Sequence, residues 1–145
     1  MRSPTTRTLR YLRRSGYVCQ VTEHWVAMPH LGPKAGIRRD LFGFIDIMAL
    51  LDGQTLAVQC TSVSGMSSRY RKILGNDPMK HLEDQEKAEQ KRQEIRQAAQ
   101  ECLRSGWTIA VFGFDKGMKL PKIRYVNETD FVLQTELAPL ESSHE

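Results

Sequence analysis

Several familiar signatures are missing from this chain of 145 residues. No apolar run approaches the ~20 residues needed to span a bilayer, and residues 1–14 lack the apolar segment of a secretory signal. The 3 cysteines are too few and too widely spaced to indicate a disulfide framework or a zinc site. These absences favour a cytoplasmic protein whose thiols are reduced and buried.

The common catalytic motifs are absent as well. The sequence has no Walker motif and no dinucleotide fingerprint, and it has no Gly-x-Ser-x-Gly nucleophile elbow. The 4 histidines follow none of the spacings that zinc sites use. Nucleotide-binding folds, serine hydrolases and zinc enzymes are therefore unsupported.

The composition is that of a globular protein, with 40% hydrophobic and 26% charged residues. The length fits one domain, which we place at residues 1–137, with a flexible tail at 138–145. A net charge of +4 and a pI near 9.1 suggest an anionic partner.

The most informative segment is a predicted hairpin. Two apolar runs of strand length, at 43–50 and 55–62, flank the turn residues Asp52-Gly53, which are a strong hairpin signal. Asp46 lies within the first run, and Gln59 and Thr61 interrupt the second. Because side chains alternate along a strand, Gln59 and Thr61 share one face that Asp46 can approach.

A carboxylate in an apolar strand costs several kcal/mol unless it is paired or binds a metal. Carboxylate, amide and hydroxyl oxygens converging on one point suit a hard divalent cation. Two structural readings stay open. Asp46 could cap a turn or pair with a buried arginine, and the two polar residues could form the solvent face of an edge strand.

These residues resemble the PD-(D/E)XK nuclease superfamily, which includes restriction endonucleases and Holliday-junction resolvases. Asp46 looks like the family aspartate, and Gln59-Cys60-Thr61 occupies the place of the (Asp/Glu)-x-Lys motif. The resemblance implies Mg²⁺ or Mn²⁺ at this site and phosphodiester hydrolysis, with the family lysine helping to activate water.

Two motif positions depart from the family. Gln59 replaces an acid, so its oxygen could bind a metal without adding charge; Asp40 and Glu23 are the upstream acids that could restore it. Thr61 replaces the lysine. Five cations could substitute for it, and we choose Lys72 from the set Lys34, Arg38, Arg39, Arg69 and Lys72. The site prediction is therefore catalytic Asp46, Gln59, Thr61 and Lys72, with Asp46, Gln59, Asp40 and Glu23 as metal ligands.

Basic segments lie on both sides of the hairpin in sequence, which is expected if phosphates approach it. The nucleic-acid-binding residues predicted from these segments are Lys34, Arg38, Arg39, Arg69 and Arg71. A further group of five arginines lies within the first fourteen residues. Unrelated solvated charges are the alternative interpretation.

The order of elements predicts an α/β fold with a restriction-endonuclease-like core. We expect a mixed sheet of about five strands flanked by helices, in the order αβββααββ. The predicted elements are a helix ending at Ser15-Gly16, strands at 17–28, 43–50, 55–62, 107–114 and 122–126, a loop at 30–39, and helices at 66–74 and 81–105. A short edge strand at 129–137 is an optional addition to this order.

The resulting functional hypothesis is a metal-dependent endonuclease that acts on nucleic acid, with DNA as the expected substrate and a homodimer as a possible assembly. The alternative is a catalytically inactive protein of the same fold that binds nucleic acid or a protein partner. The sequence does not choose between them.

Overall fold

The computed structural model describes residues 2–79 and 83–131. Its helices are α1 (Pro4–Arg14), α2 (Met66–Ile73) and α3 (Gln85–Arg104). Its strands are β1 (Val18–Val21), β2 (His24–Ala27), β3 (Gly36–Arg39), β4 (Ile47–Leu51), β5 (Gln54–Thr61), β6 (Thr108–Gly113) and β7 (Lys122–Val126).

The protein is α/β, with a mixed five-stranded sheet in the order β1-β4-β5-β6-β7 and a separate two-stranded sheet of β2 and β3. Strands β5 and β6 are parallel, and the other neighbours in the large sheet are antiparallel. Helices α2 and α3 make the crossover that joins β5 to β6. The predicted mixed sheet of about five strands with flanking helices is confirmed at this level.

Local sequence signals explain where the elements begin and turn. The Ser3 side chain accepts a hydrogen bond from the Thr6 amide and caps α1, and Asp84 caps α3 in the same way. Asp52 and Gly53 both adopt positive φ, at 47° and 79°, between β4 and β5. This is the conformation that an Asp-Gly hairpin turn favours, so the predicted turn is confirmed.

Two buried apolar layers cover the sheet. Helix α1 lies on one face, where Leu12 packs with Val58 and Phe112. Helices α2 and α3 lie on the other face, where Ile73 and Ile95 join a second cluster. The candidate site is on the α2/α3 side.

The observed order, αβββββααββ, contains two strands more before α2 than predicted. The predicted strand 17–28 divides into β1 and β2: the Thr22 amide and hydroxyl still donate to Asp46 O and Ile45 O, and from His24 the chain pairs with β3 instead of the large sheet. The predicted loop 30–39 contains β3, which pairs with β2. The start of the predicted strand 43–50 is wrong, since residues 42–44 form a turn.

The remaining boundaries shift modestly. Helix α3 begins at Gln85 rather than 81, and residues 80–82 lie outside the described part of the chain. The predicted strand 129–137 is wrong at 129–131, which are helical, and its remainder lies outside the description, as does the predicted tail 138–145. In the described ranges, no helix is long and apolar enough to cross a membrane.

Candidate active site

Asp46 lies just before β4 and directly opposite Gln59 of β5. The register pairs Ile47 with Val58, so Asp46 and Gln59 form the next pair and project to the same face. Asp46 Oδ2 accepts hydrogen bonds from Gln59 Nε2 at 2.7 Å and from the Cys60 amide at 2.8 Å. Their predicted approach is therefore observed.

Asp46 is only 5% exposed, and its protonation reflects that burial. Burial raises the pKa of Asp46 to about 7, against the opposing effect of the Cys60 amide. Neighbouring Asp40 and Glu23 raise the pKa further. The Asp46 carboxyl is therefore divided between its neutral and charged forms near neutral pH.

A tight turn brings Asp40 to Asp46. Leu41 and Ile45 form a β-bridge across residues 42–44, so Asp40 and Asp46 leave the turn side by side. Gly43 at its tip has φ 82°, and a Cβ there would lie 2.9 Å from Ile95 Cγ1 of α3. Both restrictions favour glycine at this position.

Glu23 reaches the same point from the other side. The Thr22 amide donates to Asp46 O at 2.8 Å, which fixes the preceding strand end beside Asp46. Carboxylate oxygens of Glu23, Asp40 and Asp46 all lie within 4.8 Å of one another. The three acids converge from separate segments, and we call them the acid cluster.

The acid cluster suits a divalent cation in donor chemistry and comes close to its geometry. Oxygens on a common Mg²⁺ lie at most about 4.2 Å apart, twice its usual bond length, so small side-chain rotations would suffice. The amide of Gln59 adds a second indication. Gln59 is 2% exposed and its Oε1 has no hydrogen-bond partner, while its Nε2 contacts Asp46. A cation would satisfy a buried acceptor that is otherwise costly.

Lys72 supplies a cation next to the acid cluster. Its Nζ lies 3.8 Å from Asp40 Oδ2, and the two side chains are 17% and 21% exposed. Burial lowers the pKa of Lys72, and nearby Arg69 contributes in the same direction, while Asp40 opposes the shift. Two of the cations considered from sequence therefore contact the acid cluster: the half-buried Lys72 at Asp40, and the exposed Arg38, whose Nη1 lies 3.4 Å from Glu23 Oε1.

A cleft of about 900 Å³ opens beside the cluster, between β3, α2 and α3. Asp40 and Lys72 belong to its wall, so the acid cluster faces this cleft through Asp40. The lining carries six cations and three acids, and is therefore net positive. Its cations are Arg38, Arg39, Arg69, Lys72, Lys87 and Lys91.

The other predicted nucleic-acid-binding residues are placed differently. Arg71 is exposed on α2, but helical rotation of about 200° from Arg69 directs it away from the face that Arg69 and Lys72 share. Lys34 is exposed in the turn between β2 and β3. The two residues lie outside the set that lines the cleft.

Thr61 and the amino-terminal arginines also stand apart. Thr61 shares the Gln59 face, but its hydroxyl is covered by Gly65, where an added Cβ would overlap it. Arg2, Arg7, Arg10 and Arg14 line a second cavity against α1 and Phe114, on the opposite face of the sheet from α2 and α3. The fold therefore places these arginines on the far side of the sheet from the acid cluster.

Lys87 and Lys91 are site residues that sequence reasoning missed as cleft cations. They are four residues apart on α3 and therefore share a face. The spacing of the two lysines can be read from the sequence, but the sequence of α3 does not indicate which face of the helix lies toward β3. No family model, curated protein or solved structure matches this chain.

Proposed function

We propose that this protein is a metal-dependent nuclease with a restriction-endonuclease-like core, which hydrolyses phosphodiester bonds in nucleic acid, expected to be DNA. One observation carries the proposal. Three carboxylates and a half-buried lysine converge beside a net positive cleft. Phosphodiester hydrolysis of this kind needs three components together. Acids bind a divalent ion, a cation stabilises the negative charge that develops on the phosphate, and a positively charged surface binds the phosphates of the substrate.

Asp46, Asp40 and Glu23 would hold Mg²⁺ or Mn²⁺, with Gln59 Oε1 as a neutral fourth donor. A divalent ion at such a site supplies Lewis-acid activation of water and neutralises phosphate charge.

The protein's own residues set the remaining conditions. Gln59 and the Cys60 amide hold Asp46 in one orientation through Oδ2. Lys72 sits next to Asp40 and would stabilise negative charge on a phosphate in the cleft. This supports Lys72 as the substitute for the lysine that Thr61 replaces in the motif.

The alternative is a catalytically inactive relative of this fold that binds nucleic acid or a protein partner. Gln59 is the observation that favours it, because an amide contributes no charge to the site. Such a protein would bind nucleic acid in a salt-dependent but metal-independent way.

The test is cleavage of labelled single-stranded, duplex and branched DNA and RNA with Mg²⁺ or Mn²⁺. Asp46→Asn keeps acceptors for both hydrogen bonds and removes the charge, so we expect activity to fall at least about 100-fold. Lys72→Met should lose about 100-fold as well. The neighbouring variant Arg71→Met is the matched control and should stay within a few-fold of the wild type.

Intact substrates under both metals, with wild-type protein shown to be folded by circular dichroism, would refute the nuclease proposal. Equal loss in Arg71→Met and Lys72→Met would refute the specific role of Lys72.

A further inference from the structure

The β2–β3 hairpin extends away from the acid cluster, and its paired residues continue the face on which Glu23 and Asp40 lie. Its register pairs Trp25 with Arg38 and His24 with Arg39. One further step places Glu23 opposite Asp40, on the same face as Trp25 and Arg38. The contact of 3.4 Å between Arg38 Nη1 and Glu23 Oε1 agrees with this arrangement. Trp25 and Arg38 therefore stand about 7 Å along the hairpin from the acids.

Trp25 is unusually exposed for a tryptophan held in a strand. It is 56% exposed, and its indole lies directly over Gly36, where any Cβ would overlap the ring. The backbone supports one side of the ring and leaves the rest open to solvent. An aromatic ring held in place in this way loses little conformational entropy when a flat ligand stacks on it.

The charge of the hairpin selects the kind of ligand. Residues 24–39 contain no Asp or Glu and include Lys34, Arg38 and Arg39. An aromatic platform among cations is the combination by which proteins bind single-stranded nucleic acid, with bases stacked and phosphates contacted. Base pairs stacked inside a duplex offer no free face to such a platform.

We propose that Trp25 stacks on an unpaired base of single-stranded nucleic acid while Arg38 contacts its phosphate, next to the acid cluster. The inference rests on the proposed function and narrows its substrate to single-stranded or locally unpaired nucleic acid. The preference is built into the hairpin and does not require a bound metal.

The test measures affinity in EDTA, where cleavage is absent, by anisotropy of a labelled oligothymidylate and of a duplex of equal length. Trp25→Ala should weaken single-strand binding about tenfold, and Trp25→Phe should retain most of it. Duplex binding should change less than twofold in both variants. Tyr125→Ala is the matched control, because Tyr125 is an exposed aromatic on β7 at the far edge of the sheet, and should bind as the wild type does.

Wild-type tryptophan fluorescence should also be quenched by the oligothymidylate, and Trp25→Phe should remove that quenching. Unchanged single-strand affinity in Trp25→Ala, or equal losses for single strand and duplex, would overturn the inference. A protein that binds through Trp25 but never cuts would refute the proposed nuclease and leave this inference standing. If the wild type cuts nucleic acid and Trp25→Ala leaves single-strand affinity unchanged, the proposed nuclease stands and this inference is refuted.

Discussion

Toward its carboxyl end, strand β5 has apolar side chains on one side of the sheet, and on the other side the polar Gln59 and Thr61 follow the apolar Ala57; both sides are buried. Leu56, Val58 and Cys60 pack beneath α1. Gln59 and Thr61 alternate with them and point toward α2 and α3. The two faces therefore differ in chemistry at nearly equal exposure.

The difference between the two faces shows where the fold tolerates the unfavourable burial of polar groups. A polar group removed from water is unfavourable unless it is bonded, and Gln59 Oε1 has no partner. On the α1 face the same strand carries Leu56, Val58 and Cys60, and burial keeps the Cys60 thiol neutral. Three of the four buried polar side chains in the described residues, Asp46, Gln59 and Thr61, lie at the end of the β4–β5 pair where the acid cluster forms, and the fourth is Thr8 of α1. A cluster of buried polar groups at one end of a strand pair is what a binding site requires.

The largest difference between the two faces should appear in protein stability when a side chain on the apolar face is shortened. Leu12 is 1% exposed beneath the sheet, so Leu12→Ala should lower the free energy of unfolding by about 2–5 kcal/mol. The loss should be equal at pH 5 and pH 8, because burial raises the pKa of Cys60 on that face to about 12 and keeps it neutral throughout. Urea unfolding measures both values.

The control for this prediction is Val18→Ala, since Val18 is exposed on β1 and should change stability by less than about 0.5 kcal/mol. Leu12→Ala should leave Mn²⁺ affinity within twofold of the wild type. A larger change in affinity would mean that the two faces are coupled and that the comparison is wrong.

The sequence predicted this contrast only in part. Strand alternation placed Gln59 and Thr61 on one face, and the Asp-Gly turn fixed the register that sets Asp46 opposite Gln59. The arrival of Glu23 and Asp40 depends on a hairpin that was predicted as one strand and a loop, because Pro29 and the glycines around it obscured β3. Those acids were considered as ligands, but no local pattern determines their distance from Asp46.

Lys72 illustrates a second limit of prediction. Its helix was predicted at the observed place, yet five cations were equally available as substitutes for Thr61. Which one reaches Asp40 depends on how α2 packs against the sheet, and packing is a long-range property. Helical spacing alone separates Arg71 from Lys72 only after that packing is known.

A second, smaller effect should appear on the polar face as a dependence on pH. The folded pKa of Asp46 is about 7, above its ordinary value of 3.8. The protonated group therefore stabilises the fold fully below pH 4, and this contribution is lost as the pH rises to about 7. Asp46→Asn resembles the neutral form and should be more stable than the wild type in EDTA at pH 8, by on the order of 2 to 4 kcal/mol.

Thermal unfolding at pH 4 and pH 8 tests the sign of the stability difference between Asp46→Asn and the wild type. The two proteins should converge at pH 4, where both carry a neutral group at position 46, and diverge at pH 8. Saturating Mg²⁺ should stabilise the wild type at pH 8 by mass action and leave Asp46→Asn nearly unchanged. A variant that is less stable than the wild type at pH 8 in EDTA would show that Asp46 is charged and satisfied without a metal.

The smallest expected effect sharpens the comparison within the polar face itself. Gln59→Glu adds a fourth carboxylate to the acid cluster at the position where the resembled motif carries an acid. Ligand charge governs divalent affinity, so Mn²⁺ should bind about tenfold more tightly at pH 8, equivalent to about 1.4 kcal/mol. Without metal the four acids repel one another, and the variant should be less stable than the wild type.

Isothermal titration calorimetry gives the affinity, and Gln54→Glu is the matched control. Gln54 begins the same strand in an exposed position, and its substitution adds the same charge away from the acids, so affinity there should change less than twofold. Equal gains in Mn²⁺ affinity in the two variants would mean that the added negative charge acts at long range and that residue 59 is not a metal ligand. A gain only at position 59 would place the side chain of residue 59 next to the metal, because the two substitutions differ only in where the added charge lies.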